Sequence, residues 1–215
     1  MKITKIGNRN IMFTFDVSAE WDLNLALILG DQFNFIIDPG LGSHTLNPMV
    51  KYANENHPRP FIVINTHYHW DHTWANACVK EAIIIAHTNC GGIISENWEE
   101  ALEQNARFIL EPIEKKLPNL TFEDTLSFPE EGIKLIYTPG HSADSISIID
   151  ERDGVIHMGD NIGDTLEAIV PYLECDKSIY IESLKRCKAS GCHTVISGHN
   201  NVLSIDILDR IMEVL

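Results

Sequence analysis

Three histidines and a carboxylate fall within six positions of this chain, in the stretch Thr66-His67-Tyr68-His69-Trp70-Asp71-His72. No other stretch constrains the fold as tightly, because these side chains must be brought to a common point and held there. They follow the short apolar run Phe61-Ile62-Val63-Ile64, which reads as a buried strand. The cluster therefore sits where a strand ends and the chain turns, the usual place for a site on an α/β scaffold. In extended backbone the side chains at i and i+2 share a face, so His67 and His69 can converge on one ion. The turn that follows swings Asp71 and His72 to a neighbouring position, where they can hold a second. Imidazole and carboxylate together suit zinc and related first-row divalent ions. A histidine-rich surface loop would account for one such residue, but not for four in six positions.

The pattern His67, His69, Asp71, His72 resembles the HxHxDH motif of the metallo-β-lactamase superfamily. Further stretches resemble the rest of that family's pattern, in its order. They are Asp38-Pro39-Gly40, Thr138-Pro139-Gly140-His141-Ser142, Met158-Gly159-Asp160-Asn161 and Ser197-Gly198-His199-Asn200. The resemblance runs from about residue 20 to 200 and implies an α/β fold, the four-layer αββα sandwich. It implies a first metal held by His67, His69 and His141, and a second by Asp71, His72 and His199. Asp160 would bridge the two, and Asp38 would orient ligands from behind. Two divalent ions follow as cofactors, zinc first, with iron, manganese or nickel compatible with the same donors.

What the resemblance implies for activity is a metal-dependent hydrolase, in which hydroxide held by two metals attacks a small thioester, lactone or related ester. Asp71, as proton shuttle, and Asp160 are its candidate catalytic residues. Ser142 and Ser145 beside His141 read as turn residues, since no Gly-x-Ser-x-Gly elbow exists in the chain. Individual positions separate the branches. His72 and Asp160 point away from the β-lactamases that use cysteine at the bridging position. His69 stands where flavodiiron oxygen reductases usually carry Glu. The chain stops 16 residues after His199, which leaves no room for the glutathione-binding helices of glyoxalase II. Quorum-quenching lactonases carry a tyrosine where Gly163 stands; Tyr172 or Tyr180 could replace it by residue type alone. Two other readings stay open: a mononuclear non-haem iron oxidoreductase resembling persulfide dioxygenases, and a non-enzymatic metal-binding protein. Asn161-Ile162-Gly163-Asp164-Thr165 lacks the Gly-Arg stretch of the former.

A chain of 215 residues fits one domain, 1–215, and can bury about 70% of its unfolded surface. No run approaches 18 apolar residues, and the N-terminus has no apolar segment of signal-peptide type, so the expectation is a cytoplasmic protein with no membrane span. The five cysteines, odd in number and without a C-x-x-C pair, read as free thiols. A net charge of −15 argues against nucleic acid and anionic membranes as partners and leaves a small-molecule substrate. The acids, many of them in Glu96 to Glu131, read as a solvated surface rather than a site for a cation. Oligomeric state has no signature.

Along the chain, one or two strands open residues 1–16, and Ser18 to Trp21 breaks them. Leu23 to Leu29 and Phe33 to Ile37 read as a hairpin across Gly30-Asp31-Gln32. Asn47-Pro48 predicts a helix from that point to about Asn56. Thr73 to Glu81 reads as a short helix, and Ala82 to Ala86 as a strand ending at a structural His87. Ser95 to Lys116 reads as a polar helix packed on the sandwich with some lid character, with Trp98 and Phe108 in the core. Leu126 to Phe128, Ile133 to Tyr137, Ile146 to Ile149 and Val155 to Met158 are strands, the last holding a structural His157. Asp176 to Ala189, which carries Ile179, Ile181, Leu184 and Cys187, predicts a helix stopped near Gly191. Thr194 to Ser197 is a strand, and Ser204 caps a final helix to Leu215.

Overall fold

In the computed structural model, which describes residues 1–18 and 21–215, the chain forms two stacked sheets with helices on both outer faces. Part of the polar break expected at 18–21 lies outside the described residues. The first sheet runs β1 (Lys2–Ile6), β2 (Asn10–Asp16), β3 (Asp22–Leu29), β4 (Asn34–Ile37), β5 (Phe61–Ile64), β6 (Ile83–His87), β7 (Leu120–Phe122) in spatial order. It is antiparallel through β4 and parallel from there. The second contains β8 (Thr125–Phe128), β9 (Ile133–Tyr137), β10 (Ile146–Asp150), β11 (Val155–His157), β12 (Thr194–Ile196) and β13 (Leu203–Ser204), neighbours in that order.

Strand alternation builds the layers. Ala26, Ile28, Phe35, Ile37, Ile62 and Ile64 face Ile133, Leu135, Ile146 and Ile148 of the other sheet and form the central core. The intervening Leu25, Leu27, Ile36, Val63 and Ile84 point outward, against α1 (Ser43–Asn56) and α3 (Cys90–Gln104). On the far side Ile136, Ile149, Ile156 and Val195 pack under α4 (Lys177–Lys188) and α5 (Ile207–Val214). Each fully buried aliphatic contributes about 1.5–3 kcal/mol of transfer free energy, so these faces dictate the register. The result is the expected αββα sandwich.

Several helix boundaries differ from the sequence expectation. The first helix starts at Ser43, with Pro48 inside it. Thr45 Oγ1 accepts the Leu41 and Gly42 N–H groups, and Glu111 accepts from the N–H and hydroxyl of Ser43, so the start is set by a distant residue. α2 (Trp70–Thr73) begins inside the histidine motif and continues as a 3₁₀ turn over Trp74–Cys78. α3 starts at Cys90 despite Gly91 and Gly92, because burial of Cys90, Ile94 and Trp98 outweighs the local cost of glycine. It ends at Gln104, a 3₁₀ turn follows at Ala106–Phe108, and 109–118 has no regular structure. In α4 the buried side chains are Tyr180, Ser183, Leu184 and Cys187, while Ile179 is exposed. Ser204 ends β13, and Asp206 is the cap of α5. β7 has no counterpart in the expectation; its three residues are too short to show a period.

Candidate metal centre

The histidine motif leaves the end of β5, His141 follows β9, Asp160 follows β11 and His199 follows β12. Four strand ends, taken from both sheets, therefore converge on one edge of the sandwich. Two donor groups result: His67, His69, His141 and Asp160 in one, and Asp71, His72, Asp160 and His199 in the other, each with its donor atoms within 4.8 Å of one another. All seven residues singled out from the sequence are in one group or the other, and Asp160 is in both.

The spacing fits metal ions. A tetrahedral ion with ligands at about 2.0–2.1 Å places neighbouring donors about 3.3 Å apart. In the first group, His69 Nδ1 lies 3.0 Å from the Nε2 atoms of His67 and His141, and Asp160 Oδ2 lies 3.5 and 3.7 Å from those same two nitrogens. In the second, His72 Nε2 lies 3.4 Å from Asp71 Oδ2 and from Asp160 Oδ1, and His199 Nε2 lies 3.4 Å from Asp71 Oδ2 and 3.2 Å from Asp160 Oδ2. His72 Nε2 and Asp160 Oδ1 are buried without hydrogen-bond partners, the condition of atoms waiting for a cation.

The outer nitrogens fix which ring atom faces inward. Acceptors claim Nδ1–H of four histidines: Thr66 Oγ1 for His67 at 3.0 Å, Asp38 Oδ2 for His72 at 2.8 Å, the Tyr172 carbonyl for His141 at 3.1 Å and the Asp22 carbonyl for His199 at 2.8 Å. Each bond leaves Nε2 as the ring nitrogen that faces the centre. Asp38 sits at φ 59°, and its Oδ1 also accepts the Thr66 N–H at 2.7 Å, tying the end of β5 to His72. Asn161 joins two ligand turns, accepting the His141 N–H at 2.9 Å and donating to the Thr138 carbonyl at 2.6 Å. Asn24 holds the third, donating to the carbonyls of Ser197 at 3.2 Å and Asn200 at 2.6 Å. Gly159, at φ 51°, runs so close to Thr66 that a Cβ would lie 2.7 Å from its hydroxyl oxygen.

Charge is arranged to suit divalent ions. Burial, helped by His72, drives the His67 imidazole well below its ordinary value, and burial likewise lowers His69. Burial favours the neutral carboxyls of Asp71 and Asp160, but the adjacent His72 and His199 overcome it and hold both well below the carboxylate range. In return those carboxylates raise His72 and His199 against the same burial.

Other candidates take quieter roles. His87 stacks on Tyr137 with ring centroids 4.0 Å apart and meets the Glu123 carbonyl at 3.0 Å. His157 pairs with Asn10 Oδ1 at 2.8 Å. Ser142 and Ser145 bond to each other inside the turn after His141. Tyr180 is buried with its hydroxyl on the Asn161 carbonyl at 2.7 Å, and Tyr172 projects into solvent. All five cysteines are free. Among the described residues no helix is long and apolar enough to cross a membrane.

The centre is open on two sides. A polar groove of about 580 Å³ has His199, Trp21 and Asp22 in its wall. An apolar crevice of about 40 Å³, lined by Tyr68, Trp70, Trp74 and Trp98, reaches His69. Trp70 and Phe108 stack with centroids 5.1 Å apart, and Trp21 meets both edge-on, so the segment after α3 packs beside the metal centre.

A family model described as the metallo-beta-lactamase superfamily matches residues 21–199, and the chain belongs to that family. A probable metallo-hydrolase of Methanocaldococcus jannaschii is 32% identical over 148 residues, 65% of this chain and 66% of that protein, so the match falls just short of two thirds of the relative. An acyl-coenzyme A thioesterase of Gallus gallus is 23% identical over 212 residues, covering 87% of this chain and 76% of the relative. The crystal structure of DIM-1 metallo-beta-lactamase superposes with a TM-score of 0.76 over 99% of this chain and 95% of that one, at 17% identity, a likeness of fold.

Proposed function

We propose that the protein is a metal-dependent hydrolase that holds two divalent ions, zinc first among them, and cleaves a small thioester or lactone-type ester. The observation that carries this reading is the shared Asp160, whose two carboxylate oxygens serve two donor groups that are each complete. The complete second group favours two ions over the single iron of an oxygen-using enzyme. Names of relatives add weight on the side of hydrolysis, and the thioesterase among them on the side of a thioester.

His67, His69 and His141 would hold the first ion, Asp71, His72 and His199 the second, and Asp160 both. Bound divalent ions supply Lewis acidity and bring the pKa of water toward neutrality, so hydroxide is available at physiological pH. The protein's own groups do the rest. The bonds to Thr66, Asp38, Tyr172 and Asp22 keep four imidazoles in one tautomer and one orientation through the reaction. Asp71 takes the proton released by the attacking water and returns it to the departing sulfur or oxygen. Trp21, Trp70 and Phe108 pack on one another and give the site an apolar wall on one side.

A panel of short-chain thioesters and lactones tests the reading. Protein loaded with zinc should turn over at least one class, and Asp160→Ala and His69→Ala should lose turnover and metal together. Full activity in either variant contradicts it.

A further inference from the structure

We infer that Tyr68 and Glu174 strap together the two stretches of chain that carry the first donor group, and that this pair governs how tightly the first ion is held. The inference rests on the paired centre proposed above and adds two positioning residues to it. Neither side chain belongs to either donor group.

Tyr68 stands between His67 and His69, and its ring meets His69 edge-on with centroids 4.4 Å apart. Its hydroxyl donates to Glu174 Oε1 at 2.7 Å, the length of a charge-assisted bond to a carboxylate. The other oxygen of Glu174 accepts the Ala143 N–H at 3.3 Å, and the Glu174 N–H donates to the Gly140 carbonyl at 3.1 Å. Two residues earlier, the Tyr172 carbonyl accepts from His141 Nδ1 at 3.1 Å. Residues 172–174 therefore grip the His141 turn at three points, and the same carboxylate reaches across to the stretch bearing His67 and His69.

The bond joins residues 106 positions apart, and the segments it joins supply all three histidines of the first group. Across that junction His69 Nδ1 and His141 Nε2 stand 3.0 Å apart. Metal–ligand distances tolerate only about 0.2 Å, so a tie that sets the spacing of two ligand segments also sets affinity. The second group has ties of its own. Asp38 holds His72, the Asp22 carbonyl holds His199, and Asn24 bonds to the carbonyls of Ser197 and Asn200 on either side of His199. Asn200 also donates to the Gly163 carbonyl at 2.8 Å, which anchors the start of segment 163–174 independently of Glu174. Loosening the strap is therefore felt at the first ion. Glu174 lies at the surface, so its truncation leaves no buried carboxylate unpaired and the fold should survive.

The test uses Tyr68→Phe, which keeps the ring and removes the hydroxyl, with Glu174→Ala, Glu174→Gln and the double variant Tyr68→Phe/Glu174→Ala. Zinc dissociation constants come from chelator competition, ligand geometry from the visible absorption of cobalt-loaded protein, and stability from the melting temperature of the metal-free form. Tyr68→Phe and Glu174→Ala should each weaken the first ion by roughly tenfold or more, shift the cobalt bands and leave the second ion nearly unchanged. The double variant should lose no more than either single one, since all remove the same bond. Glu174→Gln, which still offers an oxygen, should recover most of the affinity. Repeating the titration in His72→Ala, which lacks a donor of the second group only, identifies the ion concerned, and the loss should persist there. Unchanged affinity for both ions in Tyr68→Phe and Glu174→Ala overturns the inference. An equal loss of both ions with a lower melting temperature also overturns it, because that is the mark of a purely structural bond. A wild type that binds a single ion contradicts the paired centre; the inference then stands if Tyr68→Phe weakens that ion and falls if it does not.

Discussion

Asp38 reaches His72 across the end of β5, its Oδ2 accepting the Nδ1–H at 2.8 Å, and the same oxygen accepts the Thr66 hydroxyl at 2.7 Å. One carboxylate therefore aligns a ligand of the second group while gripping, through Thr66, the residue that orients His67 in the first. Asp38→Asn tolerates the left-handed backbone at this position, so the variant should fold. Its amide cannot accept from all three donors, and metal affinity should fall by roughly 10–100-fold. Chelator competition with purified protein measures this; unchanged affinity would reduce Asp38 to a turn residue.

Gly198 is where the second group leaves no space. A Cβ there would lie 2.0 Å from Asp160 Oδ1 and 2.9 Å from His72 Cε1. Gly198→Ala should displace Asp160 and cost the protein its metal while circular dichroism stays native. Normal metal retention would show that Asp160 can move without consequence.

Behind the site, Arg9 on the loop entering β2 pairs with the fully buried Asp150 that ends β10, and so joins the two sheets. Arg9→Ala leaves Asp150 with only the Asn10 amide and the Arg152 and Asp153 N–H groups. An uncompensated buried charge costs about 3–5 kcal/mol, which urea denaturation would read as a lower midpoint. A change below about 1 kcal/mol, the value of an exposed pair, would contradict the buried character assigned to it.

Two buried groups outside the metal centre oppose each other with pH. Burial raises the Asp144 carboxyl from 3.8 to about 6, with Ser142 pulling the other way, so between those values the folded protein binds more protons than the unfolded chain. Its contribution is full below pH 3.8 and is lost as pH rises through about 6. Burial lowers His157 from 6.5 to about 4, so there the unfolded chain binds more protons, and stability present above 6.5 is lost as pH falls toward 4. Each is worth about 3 kcal/mol over its interval. Relative to wild type, Asp144→Asn should therefore gain stability from pH 4 to 6, and His157→Gln should lose it over the same range. Denaturation series at both ends check the signs, and parallel slopes would contradict the account.

Legibility in the sequence followed the range of the interactions. Leu23 to Leu29 and Ile133 to Tyr137 marked strands because a short apolar run bounded by turn residues is a local signal. The seven donor positions were legible because each lies in a compact motif at a strand end. The carbonyls of Asp22 and Tyr172, which orient His199 and His141, left no signature, since any residue offers a carbonyl and the bonds span 177 and 31 positions. The start of α1 was missed for a similar reason, its partner Glu111 lying 68 residues on.

Metal content per chain tests the central claim most directly. Protein purified without chelator and reloaded with zinc, then analysed by inductively coupled plasma mass spectrometry, should hold two ions per chain, and Asp160→Ala should hold neither fully. One ion per wild-type chain, unchanged when Asp71 or His199 is replaced by alanine, would contradict the paired centre.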